Sequence, residues 1–203
     1  MTVERLVLGS FGTNCYLVGD EKEVIVIDPA DNAELIIQSI RSRTLKYILL
    51  THSHIDHIAA LAQLKEKFPG AKLALHEDEQ QVYQNPQLNL SSMFGQSFQE
   101  NIKADLLLSE ESILDFLGTQ IKVIHIPGHT PGGTCYLIKN YLFSGDTLFR
   151  MSIGRSDFPM GSHGQLIDNI RKKLFSLPED TKVFPGHMGE TTIGFEKENN
   201  PFF

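Results

Sequence analysis

Apolar residues in this chain come in short runs cut by glycine, proline and charged positions, and the period of each run separates strands from helices. Residues 3–8, 15–18 and 24–27 read as strands joined by turns containing glycine or charge, an antiparallel opening that Asp28-Pro29 brings to a stop. Asp31 with Glu34 three positions on has the form of a capping box, and Leu35, Ile36, Ile37 and Ile40 then supply an apolar helical face ending near Arg43. A strand at 45–50 leads into a polar loop, after which Ile58, Leu61, Ala62, Leu64 and Phe68 recur at helical spacing until Pro69-Gly70 stops them. Asp56 and His57 therefore fall at a helix start. Residues 71–75 read as a strand and 77–83 as a short helix. Further strands are expected at 105–108, 113–117, 121–126, 134–138 and 141–143. A last helix is expected from Ser162 and Gln165 through Leu166, Ile167, Ile170 and Leu174, before a strand at 182–184.

Residues 85–104 break this rhythm. The segment is rich in Asn, Gln and Ser but carries Met93, Phe94 and Phe98, and its length and irregularity suit a lid over a site. An internal echo is also visible, TNCYLVGDEKEVIVIDP near the start and GTCYLIKNYLFSGD later, each a strand, a turn, a strand and a terminal Asp. Two such halves facing one another, with helices outside, would give two strand layers whose strand-end loops share one edge.

Composition narrows the class. With 203 residues and 41% hydrophobic content, one domain spanning 1–203 with a buried core is expected. A formal net charge of −7 argues against a general nucleic-acid or anionic-membrane surface. Cys15 and Cys135 sit in matching strand contexts and read as small buried thiols, which suits a reducing cytosol. No leader-like segment or long apolar run is present, so the expectation is a soluble, cytoplasmic protein.

The chemistry is concentrated in Thr51-His52-Ser53-His54-Ile55-Asp56-His57, directly after the 45–50 strand. His129 in IPGHTPGG, Asp146 in LFSGDTLF and His187 in VFPGHMGE follow at wide intervals, each at the end of a strand-like run. Imidazole and carboxylate together suit zinc, iron or manganese. His52 and His54, two apart in an extended loop, point to one side, whereas Asp56 and His57 come after a turn and can serve a neighbouring ion. Seven candidates exceed one tetrahedral ion, so two divalent ions sharing a carboxylate are expected. Such ions, about 3.5–4 Å apart, can hold a bridging hydroxide and polarise a carbonyl or phosphoryl oxygen, which is a hydrolytic design. Their charge would attract an anionic or thioester-like substrate despite the acidic surface. A purely structural zinc site is disfavoured because such sites are commonly rich in cysteine. His76 and His125 read as strand residues and His163 as solvent-facing, none of them a ligand. Asp28 is placed to orient the His-rich loop through hydrogen bonds.

The order THSHIDH, PGHTPGG, SGDTLF and PGHMGE resembles the metallo-β-lactamase superfamily over essentially the whole chain, and SIGRSDFPMGS and the final ENNPF are most similar to short glyoxalase II-like hydrolases. The resemblance implies an α+β protein with an αββα four-layer sandwich. It also implies one metal held by His52, His54, His129 and Asp146 and another by Asp56, His57, His187 and the same Asp146. The implied reaction is hydrolysis of a thioester such as S-lactoylglutathione, with Asp56 orienting the attacking hydroxide, Asp146 bridging the ions and Arg155 contacting a substrate carboxylate. The extra helical domain of full-length glyoxalase II, which grips glutathione, has no counterpart after Phe203, and PMGS stands where many relatives carry PGGD. Among rival readings, true β-lactamases are set aside because neither cysteine lies near a ligand, RNA-processing relatives because the chain is acidic, and flavin-linked diiron reductases because no flavin domain follows. The remaining alternative resembles persulfide dioxygenases, with a single iron on His52, His129 and Asp146.

Overall fold

Strands β1 (Thr2–Leu8), β2 (Thr13–Gly19) and β3 (Glu23–Ile27) pair antiparallel in sequence order, as the early turns predict. The computed structural model describes residues 1–95 and 102–203. Strands β4 (Thr44–Leu49), β5 (Lys72–His76) and β6 (Leu106–Leu108) then add in parallel to complete a six-stranded sheet. A second six-stranded sheet contains β7 (Ile113–Phe116), β8 (Thr119–His125), β9 (Thr134–Ile138), β10 (Tyr141–Gly145), β13 (Lys182–Pro185) and β14 (Thr191–Thr192). Its order is β14-β13-β10-β9-β8-β7, and only β10 and β13 are parallel. A small hairpin of β11 (Leu148–Phe149) and β12 (Ser152–Ile153) follows β10.

The layers can be read from side-chain alternation, because successive strand residues face opposite ways. In β2, Cys15 and Leu17 pack with α1 (Ala33–Ile40) and α3 (Leu61–Lys67), while Tyr16 and Val18 face the other sheet. β9 repeats the division: Cys135 faces α5 (His163–Asn169), while Tyr136 and Ile138 face inward. Phe116, Phe143 and Phe184 from the second sheet meet Ile25, Ile27 and Leu49 from the first in the central layer. Central strands buried on both faces must be apolar throughout, which is why they appear as continuous runs. Two sheets back to back with helices outside each give the expected αββα arrangement, and the echo lies in equivalent places in the two sheets. Among the described residues no helix is long and apolar enough to cross a membrane.

Several local expectations change. The helix predicted to be capped by Asp31 is capped by Asn32, whose side chain accepts from the Leu35 N–H, and it ends at Ile40 rather than near Arg43. Asp31 instead accepts from the Asn32 N–H. The single helix expected after the His-rich loop is two, α2 (Ile55–Ile58) and α3, separated by Ala59-Ala60, whose N–H groups bond back to Ala30 and Pro29. Residues 77–83 form a 3₁₀ turn, Glu77–Glu79, followed by α4 (Gln80–Tyr83). Ser162 precedes α5 without a side-chain cap bond, and the helix continues as a π-helical turn, Ile170–Leu174. It is not the last helix, because α6 (Ile193–Asn199) follows β14, with Thr192 accepting from the Phe195 N–H. Within the lid candidate, Ser91–Phe94 form a 3₁₀ turn. Phe98 lies outside the described residues.

Candidate metal centre

The seven candidate ligands all follow the C-terminal ends of strands, and the two sheets bring those ends to one edge. β4 leads to His52 and His54, β8 to His129, β10 to Asp146 and β13 to His187. His54 is still extended (φ −64°, ψ 147°) when α2 begins at Ile55, so the chain turns between the His52–His54 and Asp56–His57 pairs.

Three imidazole nitrogens converge on one side: His129 Nε2 lies 2.9 Å from His54 Nδ1 and 3.2 Å from His52 Nε2. Asp146 Oδ2 stands 3.7 Å from His129 Nε2. On the other side His187 Nε2 is 3.3 Å from Asp56 Oδ2 and 3.5 Å from Asp146 Oδ2. His57 Nε2 lies 3.6 Å from Asp56 Oδ2 and 3.3 Å from Asp146 Oδ1. His52, His54 and His129 thus form one donor group and Asp56, His57 and His187 another, with Asp146 touching both. Four bonds of about 2.0–2.1 Å in a tetrahedral set would leave neighbouring donors roughly 3.3 Å apart, close to the spacings in both groups.

The outward-facing atoms explain why the inward ones are available. His129 Nδ1 donates to the Arg155 carbonyl at 2.6 Å, and His57 Nδ1 donates to Asp28 Oδ2 at 3.0 Å. Asp28 also accepts from the Thr51 N–H at 2.7 Å and from Thr51 Oγ1 at 2.6 Å, leaving that hydroxyl oxygen to accept from His52 Nδ1 at 3.2 Å. At His52 and His129 the bond fixes the tautomer that turns a lone pair into the site, and at His57 it fixes the ring so that Nε2 faces the site. The orienting role expected of Asp28 is therefore present. His57 Nε2 and Asp146 Oδ1 are buried and have no hydrogen-bond partner among the described residues. They face one another at 3.3 Å, a position in which a cation could bind both. The donor set thus fits divalent metal.

The electrostatics divide the same way. Burial, reinforced at His52 and His54 by neighbouring imidazoles, keeps three rings neutral: His52 well below its usual range, His54 at about 3, and His129 lowered as well. At Asp56 and Asp146 burial favours the neutral acid, but nearby histidines outweigh it, holding Asp56 at about 2 and Asp146 well below the carboxylate range. Burial likewise opposes protonation of His57 and His187, yet the two carboxylates raise His187 to about 9 and His57 well above its ordinary value.

Several positioning residues gave no sequence signal. Thr13 Oγ1 donates to Asp56 Oδ2 at 2.9 Å, and Asn14 Nδ2 holds the carbonyls of Pro185 and Met188 on either side of His187 at 2.8 and 3.0 Å. Glu79 is fully buried and accepts from the Ser53 N–H at 2.8 Å, Thr130 Oγ1 at 2.8 Å and the Gly132 N–H at 2.9 Å, tying the His52–His54 loop to the His129 loop. Burial raises its carboxyl to about 7, although all three contacts donate to the charged form. Within Glu77-Asp78-Glu79 nothing in the sequence marks the third acid as the internal one. Gly186 needs its missing side chain, since a Cβ there would overlap Asp146 Oδ1.

Other candidates lie elsewhere. His76 and His125 stack face to face, 3.8 Å between centroids and 16° between planes, and form with Asp78 a further group whose ligand atoms lie within 4.8 Å of one another, but His76 Nδ1 already accepts from the Asp78 N–H and His125 Nε2 bonds the Pro131 carbonyl. His163 is exposed, as expected. Arg155 lines the cavity over the site, but its guanidinium is held by Asp157 at 2.7 and 2.9 Å and lies 4.3 Å from the Phe158 ring centre. Both cysteines are free and buried, and burial raises their thiols, Cys135 to about 12.

Comparison with known proteins places this geometry among relatives. Residues 8–187 match the metallo-beta-lactamase superfamily. The chain is 38% identical to the hydroxyacylglutathione hydrolase GloC of Haemophilus influenzae, across 100% of this chain and 98% of that one. It superposes on the crystal structure of the BLEG-1 B3 metallo-beta-lactamase with a TM-score of 0.94 and 38% identity, covering 99% of each chain. For TTHA1623 in its di-iron-bound form the TM-score is 0.87 and the identity 33%, over 99% of this chain and 100% of the other.

Proposed function

Because the chain belongs to the metallo-beta-lactamase superfamily, we propose that it is a metal-dependent hydrolase of small thioesters, with S-lactoylglutathione as the reference substrate. The observation that carries this reading is the position of Asp146 between two three-residue donor groups, with Oδ1 3.3 Å from His57 Nε2 and Oδ2 3.7 and 3.5 Å from His129 and His187 Nε2. The similarity to a hydroxyacylglutathione hydrolase supports the thioester.

In this reading His52, His54, His129 and Asp146 hold one divalent ion, and Asp56, His57, His187 and Asp146 hold the other. Zinc is the first expectation from the donor chemistry; the di-iron form of TTHA1623 supports iron, and manganese also suits these donors. When bound, such ions lower the pKa of a water to roughly 7 and polarise a carbonyl oxygen. Asp56, held at about 2 and hydrogen-bonded by Thr13, stays ionised, so its carboxylate orients a water O–H rather than removing its proton. Asp28, Thr51 and the Arg155 carbonyl keep the ligand rings from rotating, so donor geometry is set before substrate arrives. Arg155, at the cavity wall, is the candidate for one substrate carboxylate, which would take the place of Asp157.

The test is elemental analysis of pure protein beside turnover of thioesters, lactones, β-lactams and persulfides. β-Lactams belong in the panel because the chain is 38% identical to a B3 metallo-beta-lactamase. About two ions per chain with oxygen-independent thioester cleavage is expected. One iron per chain with oxygen uptake on glutathione persulfide would replace the hydrolase with the dioxygenase alternative.

A further inference from the structure

The cavity above the donor groups, about 460 Å³, has walls that contrast with its floor. Phe11, Met93, Phe94, Phe149, Phe158 and Met188 line it. Four of these are unusually open for apolar side chains: Phe11 is 54% exposed, Met93 70%, Phe94 49% and Met188 57%. Phe11, in the β1–β2 turn, and Phe94, in the 91–94 turn, pack edge to face at 5.1 Å, so two separate loops build one apolar rim. Gathered apolar exposure at the mouth of a polar site marks a binding surface, because scattered exposure would show no such focus.

Charge points the same way. Arg155 is the sole Lys or Arg lining this cavity among the described residues, and Asp157 already pairs it with both guanidinium contacts. The Gln-Ser-Phe-Gln-Glu-Asn stretch at 96–101 contains no cationic residue. A glutathione thioester would bring two carboxylates and an ammonium against walls that offer them one shared cation.

We infer that the rim of Phe11, Met93, Phe94 and Met188 is a subsite for an apolar alkyl or aryl group on the thiol side of the substrate, and that the protein prefers thioesters of apolar thiols over glutathione thioesters. This rests on the thioester reading above, which it narrows.

The probes are two unreactive thioethers, S-(4-phenylbutyl)-N-acetylcysteamine and S-methylglutathione, titrated into metal-loaded protein by calorimetry, together with the lactoyl thioesters of 4-phenylbutanethiol and glutathione assayed for hydrolysis. The phenylbutyl thioether should bind at least about tenfold more tightly, and the Phe11→Ala/Phe94→Ala double variant should lose about tenfold of that affinity with metal content and thermal midpoint unchanged. The apolar thioester should show the higher kcat/KM. Equal or tighter binding of S-methylglutathione, or an affinity ratio indifferent to loss of both rings, would overturn the subsite while leaving thioester hydrolysis standing. Phenylbutyl binding without cleavage of either thioester would retain the subsite and remove the thioesterase reading. Concentration-dependent self-association abolished by the double variant, with probe binding unaltered, would assign the rim to a second copy of the chain and overturn the inference.

Discussion

Asp146 turns Oδ1 toward His57 and Oδ2 toward His129 and His187, so one side chain belongs to both donor groups. Asp146→Ala should leave less than one ion per chain by elemental analysis and lower kcat/KM by at least about 10²–10³-fold; retention of two ions would contradict a bridging role. Glu79 acts at one remove. Glu79→Gln replaces an acceptor with an amide donor facing either the Ser53 N–H or Thr130 Oγ1 and the Gly132 N–H, and should cost about 1–3 kcal/mol in stability and roughly 10–100-fold in metal affinity. Chemical denaturation and competition with a chelator would measure the two effects. The seven candidate ligands were visible because His and Asp crowded into THSHIDH, or framed by Pro and Gly at strand ends, are unusual in a chain's core pattern. Glu79 and Thr13 were not visible. Acids and hydroxyls are common, and burial, which makes these two matter, is a property of packing.

At the scale of elements, the repeated Cys-Tyr-Leu strands do the same work twice. Tyr16 crosses from the first sheet to donate to the Pro185 carbonyl at 2.7 Å, two residues before His187. Tyr136 crosses the other way to the Leu50 carbonyl at 2.7 Å, two residues before His52. Each tyrosine of one half therefore anchors a ligand loop of the other. Tyr136→Phe and Tyr16→Phe each leave a buried carbonyl with one partner fewer and should destabilise the fold by about 1–3 kcal/mol in denaturant titration. Tyr136→Phe should disturb the His52 side of the centre more than the His187 side. The echo was legible as a repeated pattern, and so were most strands. Helix limits were less so: the stretch after the His-rich loop kept helical spacing but broke at Ala59-Ala60, where contacts to Ala30 and Pro29 from a distant turn captured the N–H groups. Strands β11, β12 and β14, two residues each, are too short to announce themselves by period, being held by their neighbours, whereas β13 was legible as the strand at 182–184.

Across the whole molecule the centre is also an electrostatic load on the fold. In metal-free protein, His52, His54 and His129 refuse protons that the unfolded chain accepts below about 6.5, so stability falls as pH drops from there toward about 3, the value for His54. His57 and His187 have the opposite sign. Their raised values contribute stability that is full below 6.5 and lost as pH rises toward about 9, the value for His187. From these histidines, the thermal midpoint of chelated protein should peak near pH 6.5 and decline on both sides. Metal loading should move the optimum upward, because bound ions displace the His57 and His187 protons, and that release should be measurable by calorimetry in buffers of different ionisation enthalpy. A chelated protein whose midpoint rises steadily from pH 6.5 to 9 would contradict the charge arrangement. Alternating and continuous apolar runs by themselves determined two strand layers with helices outside, and the spacing of His and Asp determined a metal-binding chemistry, since both depend on local period and side-chain type. Only the tertiary structure decided which oxygen of Asp146 faces which histidine, that Glu79 and the two tyrosines hold the loops, and that the cavity mouth is apolar. Those are distances between residues far apart in the chain, set when the two sheets pack and bring their strand ends to one edge.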